Sequence, residues 1–239
     1  METLNGAICL VTGGGSGIGR AVALALAAEK AEVHICGRSL DKLEKVQKER
    51  DDSTLFPHHT DLSNDDEVAA LCKELRRHHD RLDLLVHSAG VYAPGEIGDT
   101  PVAELDRHYR TNLRAPYFLT RELLPLLRRA RGEIVFLNSS AIFAARPSVA
   151  AYTASKSGLK ALADSLRQEE NGRGIRVLSV YPGRTATPMQ AEIHAQEEKP
   201  YSSELLAQPE DVALAVLGAV SLPRTVEVTD LHLRPFRKS

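Results

Sequence analysis

The feature that most constrains this chain lies near its start. The apolar run Ala7–Thr12 (AICLVT) ends abruptly in Gly13-Gly14-Gly15-Ser16-Gly17-Ile18-Gly19, and apolar residues resume at helical spacing from Gly17 to about Lys30. A short apolar run closed by glycines reads as a buried strand. Glycines at its tip let the backbone turn tightly and approach a pyrophosphate without an intervening Cβ. The helix that follows turns unpaired N–H groups and a positive dipole end toward the same point. A flexible loop would use the same glycines, but a loop need not sit between a first strand and a first helix. Gly13, Ser16, Gly17, Ile18 and Gly19 are therefore candidate contacts for a dinucleotide.

The rest of the chain repeats the same alternation. Strand patterns fall at Glu32–Cys36, Thr54–Pro57, Leu82–Val86, Glu133–Leu137, Ile175–Val180 and Thr225–Leu233. Helical patterns fall at Leu40–Arg50, Asn64–His79 (with Ser63 or Asn64 as cap), Val102–Arg129 interrupted by Pro116, Ala150–Glu170 and Pro209–Val220. Short apolar strands that each lead into a helix predict a seven-stranded, mainly parallel sheet with helices on both faces. No repeat, low-complexity tract or linker divides residues 1–239, so a single doubly wound α/β Rossmann domain is expected, with ligands outside the carboxyl ends of its strands. The polar stretch Pro188–Gln208 is long for a connection and is expected to form a mobile substrate lid. Its acids Glu192, Glu197 and Glu198 outnumber Lys199, which weighs mildly against anionic substrates.

Bulk properties exclude several classes. A formal net charge of −2 provides no basic field for nucleic acid or anionic lipid. No apolar run approaches the ~20 residues of a spanning helix. METLNGAICLVTGGG lacks a signal peptide's cationic and long apolar regions, so a cytoplasmic protein is expected. Cys9, Cys36 and Cys72 show no CxxC spacing and are expected to be buried free thiols. Neighbouring residues on a helix diverge, so the pairs His58/His59 and His78/His79 are not ready-made ligand sets, and no metal is expected.

The tip of the second strand bears on which dinucleotide is bound. An acid there would accept from a ribose 2′-hydroxyl, whereas a cation suits a 2′-phosphate. The sequence reads Ile35-Cys36-Gly37-Arg38-Ser39. Arg38 and Ser39 thus favour NADP(H) over NAD(H), and Asp61-Leu62, past the third strand, falls where an adenine would rest.

Tyr152-Thr153-Ala154-Ser155-Lys156 sets a phenol and an ammonium four residues apart on one helix face. A nearby cation is expected to lower the tyrosine's pKa and fit it for proton exchange with a carbonyl or alcohol oxygen. Asn138-Ser139-Ser140, ending the fifth strand, would face the same pocket.

With these motifs in place, the chain resembles the short-chain dehydrogenase/reductase family over essentially its whole length. TGGGSGIG, Asp61, Asn112, the serine pair, YTASK and Tyr181-Pro182-Gly183 stand in family order and spacing. The resemblance implies that Tyr152 is the general acid/base, that Lys156 tunes it and holds the nicotinamide ribose, and that Asn112 anchors a water. It also implies that Ser139, thirteen residues before Tyr152, binds the substrate oxygen, with Ser140 as the alternative. Ser88, Ala89 and Gly90 would pass along the coenzyme, and Pro182, Gly183, Thr185 and Thr187 would contact the nicotinamide. Two departures stand out: His87-Ser88 replaces the usual Asn-Asn, and Phe143 replaces a common glycine and is expected to narrow the pocket edge. The charged end RPFRKS gives no sign of a tail-built pocket. The implied activity is hydride transfer between NADP(H) and a carbonyl/alcohol pair of a small-molecule substrate. The competing reading is a catalytically silent dinucleotide sensor, which should lack part of the Ser/Tyr/Lys set. An epimerase or dehydratase of the extended family would be longer and carry GxxGxxG. A homodimer or homotetramer through the Val102–Arg129 and Ala150–Glu170 helices is also implied.

Overall fold

A computed structural model describes residues 4–50, 54–144 and 146–236. Seven strands form one parallel sheet in the order β3-β2-β1-β4-β5-β6-β7. They are β1 Ile8–Thr12, β2 Glu32–Gly37, β3 Leu55–His59, β4 Leu84–His87, β5 Glu133–Leu137, β6 Arg176–Pro182 and β7 Asp230–Leu233. The helices between them are α1 Gly17–Ala28, α2 Leu40–Lys48, α3 Asp65–His78, α4 Val102–Tyr109, α5 Ala115–Ala130, α6 Ala150–Glu170, α7 Pro188–Gln196 and α8 Pro209–Val220. This is the doubly wound Rossmann architecture the sequence predicts.

The pleat sorts each strand's side chains between two cores. Cys9, Val11, Val33 and Ile35 pack with Val22, Leu26, Val212 and Val216 on the α1/α8 face. Leu10, Cys36, Leu85 and Phe136 pack with Leu71, Leu119 and Leu159 on the α3/α5/α6 face. Both faces of the central strands are thus dry, which is why they read as unbroken apolar runs rather than alternating ones. The three thiols are buried as expected. Burial raises all three pKa values, those of Cys36 and Cys72 to about 12, so none is a reactive thiolate. Because β1 lies between β2 and β4, the strand order reverses there and opens a crevice at its carboxyl end.

Three elements differ from expectation. The last strand covers only Asp230–Leu233, because Val177 N–H donates to the Glu227 carboxylate (3.0 Å) instead of joining a ladder. The long central helix is not broken at Pro116. It runs through a π-turn at Arg110–Arg114, where Ala115 N–H reaches back to the Arg110 carbonyl, and continues as α5 with Pro116 in its first turn. Pro188–Gln208 carries helix α7, started by Pro188 and capped by Thr187, whose Oγ1 accepts from Gln190 N–H at 3.1 Å.

Candidate active site

The glycine turn after β1 is held to the tip of β2, with Gly13 N–H donating to the Cys36 carbonyl at 2.9 Å. Gly13 has φ +68°, and a Cβ there would lie 2.9 Å from the Ala89 Cα. At Gly19 a Cβ would come within 2.4 Å of the Gly13 carbonyl oxygen, so any side chain would pry α1 from the turn. Helix α1 has neither a side-chain cap nor an acid in its first turn. Its positive end therefore faces the crevice without a protein anion to neutralise it. Thr12 Oγ1 accepts from both Ser88 N–H and Ala89 N–H, each at 3.0 Å, tying the β1 tip to the segment after β4. That segment begins with His87, the departure noted in the sequence. His87 stacks on Phe136 (4.8 Å between ring centroids) and bonds Thr120 at 2.9 Å. Burial, with help from Lys156, pushes its pKa down to about 3, so it is a neutral packing residue beneath the cleft.

Two adjoining cavities share Gly13, Ser16, Ala89 and Gly90. The larger, about 1190 Å³, is lined by Gly17, Ile18, Gly19, Ser88, Ser139, Tyr152, Lys156, Pro182, Gly183, Thr185 and Thr187 among others. The smaller, about 230 Å³, is lined by Arg38, Ser39, Asp61 and Leu62, and also by Lys42. Every coenzyme contact expected from the sequence therefore lines one continuous cleft. The residues fit a dinucleotide phosphate: a backbone cradle with no room for a Cβ, an open helix end, and two cations at the far pocket. Lys42 escaped the sequence reading, although its position four residues after Arg38 was there to count.

At the other end of the cleft, α6 presents Tyr152 and Lys156. Lys156 Nζ donates to the Leu137 carbonyl at 2.7 Å, and burial pushes its pKa down to about 8. Tyr152 does not behave as the sequence suggested. Burial raises its pKa, with a smaller push from Tyr92, against a hydrogen bond with Ser139 that lowers it. Tyr152 is packed edge-on by two rings, Tyr92 at 5.1 Å and His108 at 6.2 Å. His108 in turn accepts from Ala93 N–H at Nε2 (3.1 Å) and donates from Nδ1 to the Glu104 carbonyl (2.7 Å), which steadies the Tyr92 loop. Neither aromatic neighbour carries a motif that sequence could reveal.

Asn112 does not line the cleft. Its amide is spent on structure: Oδ1 accepts from Val91 N–H (2.8 Å), and Nδ2 donates to the Val91 carbonyl and the Ser155 hydroxyl (both 3.0 Å). Ser155 passes the link to the Tyr152 carbonyl at 2.7 Å. The side chain thus clips the π-turn to α6 and to the loop after β4.

Two pocket-edge expectations are corrected. Phe143 turns away and packs on Tyr181 (4.9 Å) and His232 (5.0 Å), leaving the cavity edge to Ala141 and Arg146. The C-terminal stretch does take part, since Gly183 N–H donates to the Leu233 carbonyl (2.7 Å) and sets Arg234 and Pro235 on the cavity wall. The rest of the RPFRKS end, residues 237–239, lies outside the described residues. The balance of lid charge also changes. Among the three acids named, only Glu197 lines the cavity, held by Arg184 and Lys199 (2.8 Å each), while Arg146 and Arg234 add further cations.

A parallel sheet with a glycine cradle at its switch point and a Ser/Tyr/Lys cluster on the neighbouring helix defines a Rossmann-fold oxidoreductase. Residues 7–198 match the family model described as short chain dehydrogenase. The chain belongs to the short-chain dehydrogenase/reductase family. It is 31% identical over 236 residues to an uncharacterised oxidoreductase of Staphylococcus aureus (strain N315), covering 98% of this chain and 100% of the relative. A metagenomic short-chain oxidoreductase solved in complex with NADP superposes with a TM-score of 0.85 at 31% identity, covering 99% and 100% of the two chains. An alcohol dehydrogenase from Thermococcus sibiricus, complexed with 5-hydroxy-NADP, shares the fold with a TM-score of 0.87 at 24% identity, over 98% of each chain. Among the described residues no helix is long and apolar enough to cross a membrane.

Proposed function

We propose that this oxidoreductase transfers a hydride between NADP(H) and a carbonyl/alcohol pair, with Tyr152 as the proton donor and acceptor. The observation that carries the reading is the convergence of Ser139, Tyr152 and Lys156 on one wall of a cavity whose other wall is the glycine cradle. The NADP complex of the metagenomic relative supports the same coenzyme here. Bound NADPH would supply the hydride.

In this reading Arg38, Ser39 and Lys42 hold the 2′-phosphate, and the backbone of Gly13–Gly19 with the start of α1 holds the pyrophosphate. Pro182, Gly183, Thr185 and Thr187 wall the nicotinamide end. Ser139 orients the substrate oxygen toward Tyr152. The raised pKa of Tyr152 keeps its proton at neutral pH, which suits donation to a carbonyl that gains a hydride. Lys156 stands behind the phenol as the cation that compensates the phenolate once the proton has left.

Helix α7 acts as the lid expected of residues 188–208, latched by Arg184, which donates to His194 (3.1 Å) and Glu197 (2.8 Å). The cations at the mouth reverse the earlier expectation and favour carbonyl substrates that bear a carboxylate or phosphate. The complete Ser139/Tyr152/Lys156 set, with Asn112 bracing its helix, favours an enzyme over a silent sensor.

The test is NADPH oxidation against a panel of neutral ketones, aldehydes and keto acids, run with wild type and Tyr152→Phe. Turnover with at least one carbonyl, stronger for anionic ones, and its loss in Tyr152→Phe are expected. NADPH binding without turnover across the whole panel would leave the sensor reading standing.

A further inference from the structure

At the far end of β2 from the coenzyme crevice, two strands and the end of a helix converge on a polar cluster that the oxidoreductase reading does not use. Strand periodicity sets Glu32 and His34 on the same face of β2 as Cys36, which is the α3 side. The β2/β3 register pairs Cys36 with His58 and so brings His58 to that face as well. His79, the residue that ends α3, closes the group from above.

His34 Nε2 lies 3.3 Å and His79 Nε2 3.4 Å from the same carboxylate oxygen, Glu32 Oε1. Both ring nitrogens are buried, and neither has a hydrogen-bond partner. Buried imidazole nitrogens aimed at one oxygen without bonding to it are costly unless something sits among them. The three donor atoms all lie within 4.8 Å of one another. The two nitrogen–oxygen separations equal the edge of a tetrahedron whose bonds are about 2.0–2.1 Å long, the span of zinc–histidine and zinc–carboxylate bonds. A supporting layer is also in place. His34 Nδ1 bonds His58 Nε2 at 2.8 Å, and His58 Nδ1 faces the Glu74 carboxylate at 3.5 Å. This carboxylate–histidine chain fixes the ring and tautomer of His34, as outer partners of metal-bound histidines do. Glu32 is partly exposed and leaves a path from solvent.

We propose that Glu32, His34 and His79 form a binding site for a divalent transition metal ion of the zinc type, which clips the end of α3 to β2. Two nitrogens and one carboxylate select such an ion over calcium or magnesium, with water completing the shell. The expectation of no metal rested on the adjacent histidine pairs, and that geometry holds. One member of each pair, His58 or His79, enters the cluster, while His59 and His78 are exposed. The ligands come instead from residues far apart in sequence.

The experiment is titration of untagged, chelator-stripped protein with Zn²⁺ by calorimetry and with Co²⁺ by visible absorption, alongside thermal melts. Wild type should bind a single zinc ion at or below about 10 μM, melt at higher temperature with metal, and give the visible bands of tetrahedral cobalt. Glu32→Gln and His79→Ala should each weaken binding more than about a hundredfold, and His58→Gln by about tenfold. His78→Ala, one residue away, should bind as wild type does. NADPH binding, measured separately, reports whether each variant is folded, and Glu32→Gln at the exposed rim is the mildest change. Absence of saturable binding up to about 100 μM metal would overturn the proposal. So would unaltered affinity in both Glu32→Gln and His79→Ala.

Discussion

Lys156 hydrogen-bonds the Leu137 carbonyl across 2.7 Å, so its ammonium is anchored to the end of β5. A single carbonyl is poor compensation for a buried charge, and desolvation brings the lysine down from 10.5 to about 8. Between those two values the unfolded chain binds the extra proton, so stability rises with pH across that window. Below about 8 the full cost of the buried charge is present. Lys156→Met should therefore stabilise the fold at pH 7 by about 2 kcal/mol, being roughly 3 from the relieved shift less about 1 for the lost hydrogen bond. The gain should fade toward pH 10.5 while turnover is lost throughout. Denaturant melts at pH 7 and near pH 10 make the comparison, and equal stability of the two proteins at both would refute it.

A hydrogen bond with Ser139 draws the Tyr152 pKa down against the effect of burial. Removing its hydroxyl in Ser139→Ala should raise that pKa further. Alcohol oxidation needs the deprotonated phenol, so the rising limb of kcat/KM should move to higher pH. At neutral pH the rate should fall at least about tenfold. An unmoved limb would show that another group titrates.

Arg38 and Lys42 line the same small cavity as Ser39. If both hold a 2′-phosphate, each charge-assisted contact is worth about 1.5–3 kcal/mol, or about ten- to a hundredfold. Arg38→Asp and Lys42→Ala should each weaken NADPH binding by that factor and leave NADH nearly unchanged. Equal losses for both coenzymes would mean the cations serve only the fold.

Pro116 lacks the N–H that would ordinarily reach the carbonyl of Asn112 four residues earlier. If Asn112 anchors a water in a proton path, as the family resemblance implies, that carbonyl is the place to hold it. Pro116→Ala should recapture the carbonyl within the helix, slowing the proton-coupled step in single-turnover mixing while NADPH affinity stays constant. A wild-type rate would reduce the proline to a matter of helix geometry.

Val102, Leu105, Tyr109 and Tyr117 are all exposed along α4 and α5, the helices the family resemblance places at a two-fold interface. An apolar stripe of this kind on a surface marks a partner site. Tyr117→Glu should shift the protein toward monomer in light scattering at micromolar concentration, with coenzyme binding retained. A wild-type monomer would remove the premise.

Much of this molecule could be read from its sequence. The glycine turn, the alternation of short apolar strands with amphipathic helices, and the Tyr152/Lys156 spacing depend on local backbone rules and on periods of two and 3.6 residues. Those rules operate within a few neighbours, so the Rossmann sheet, the glycine cradle and the Tyr152/Lys156 pair followed from them, while the remaining cleft residues came from the family resemblance. What depended on neighbours from distant segments did not follow. Whether a phenol's pKa rises or falls depends on how deeply it is buried and on neighbours such as Ser139 and Tyr92. Which way Phe143 turns depends on Tyr181 and His232. That Arg234 reaches the cavity depends on β7 closing onto Gly183. The meeting of Glu32, His34 and His79 required β2, β3 and the end of α3 to be docked. Sequence sets what each segment does alone; only packing decides which charges share a low-dielectric space, and there distance and burial govern their chemistry.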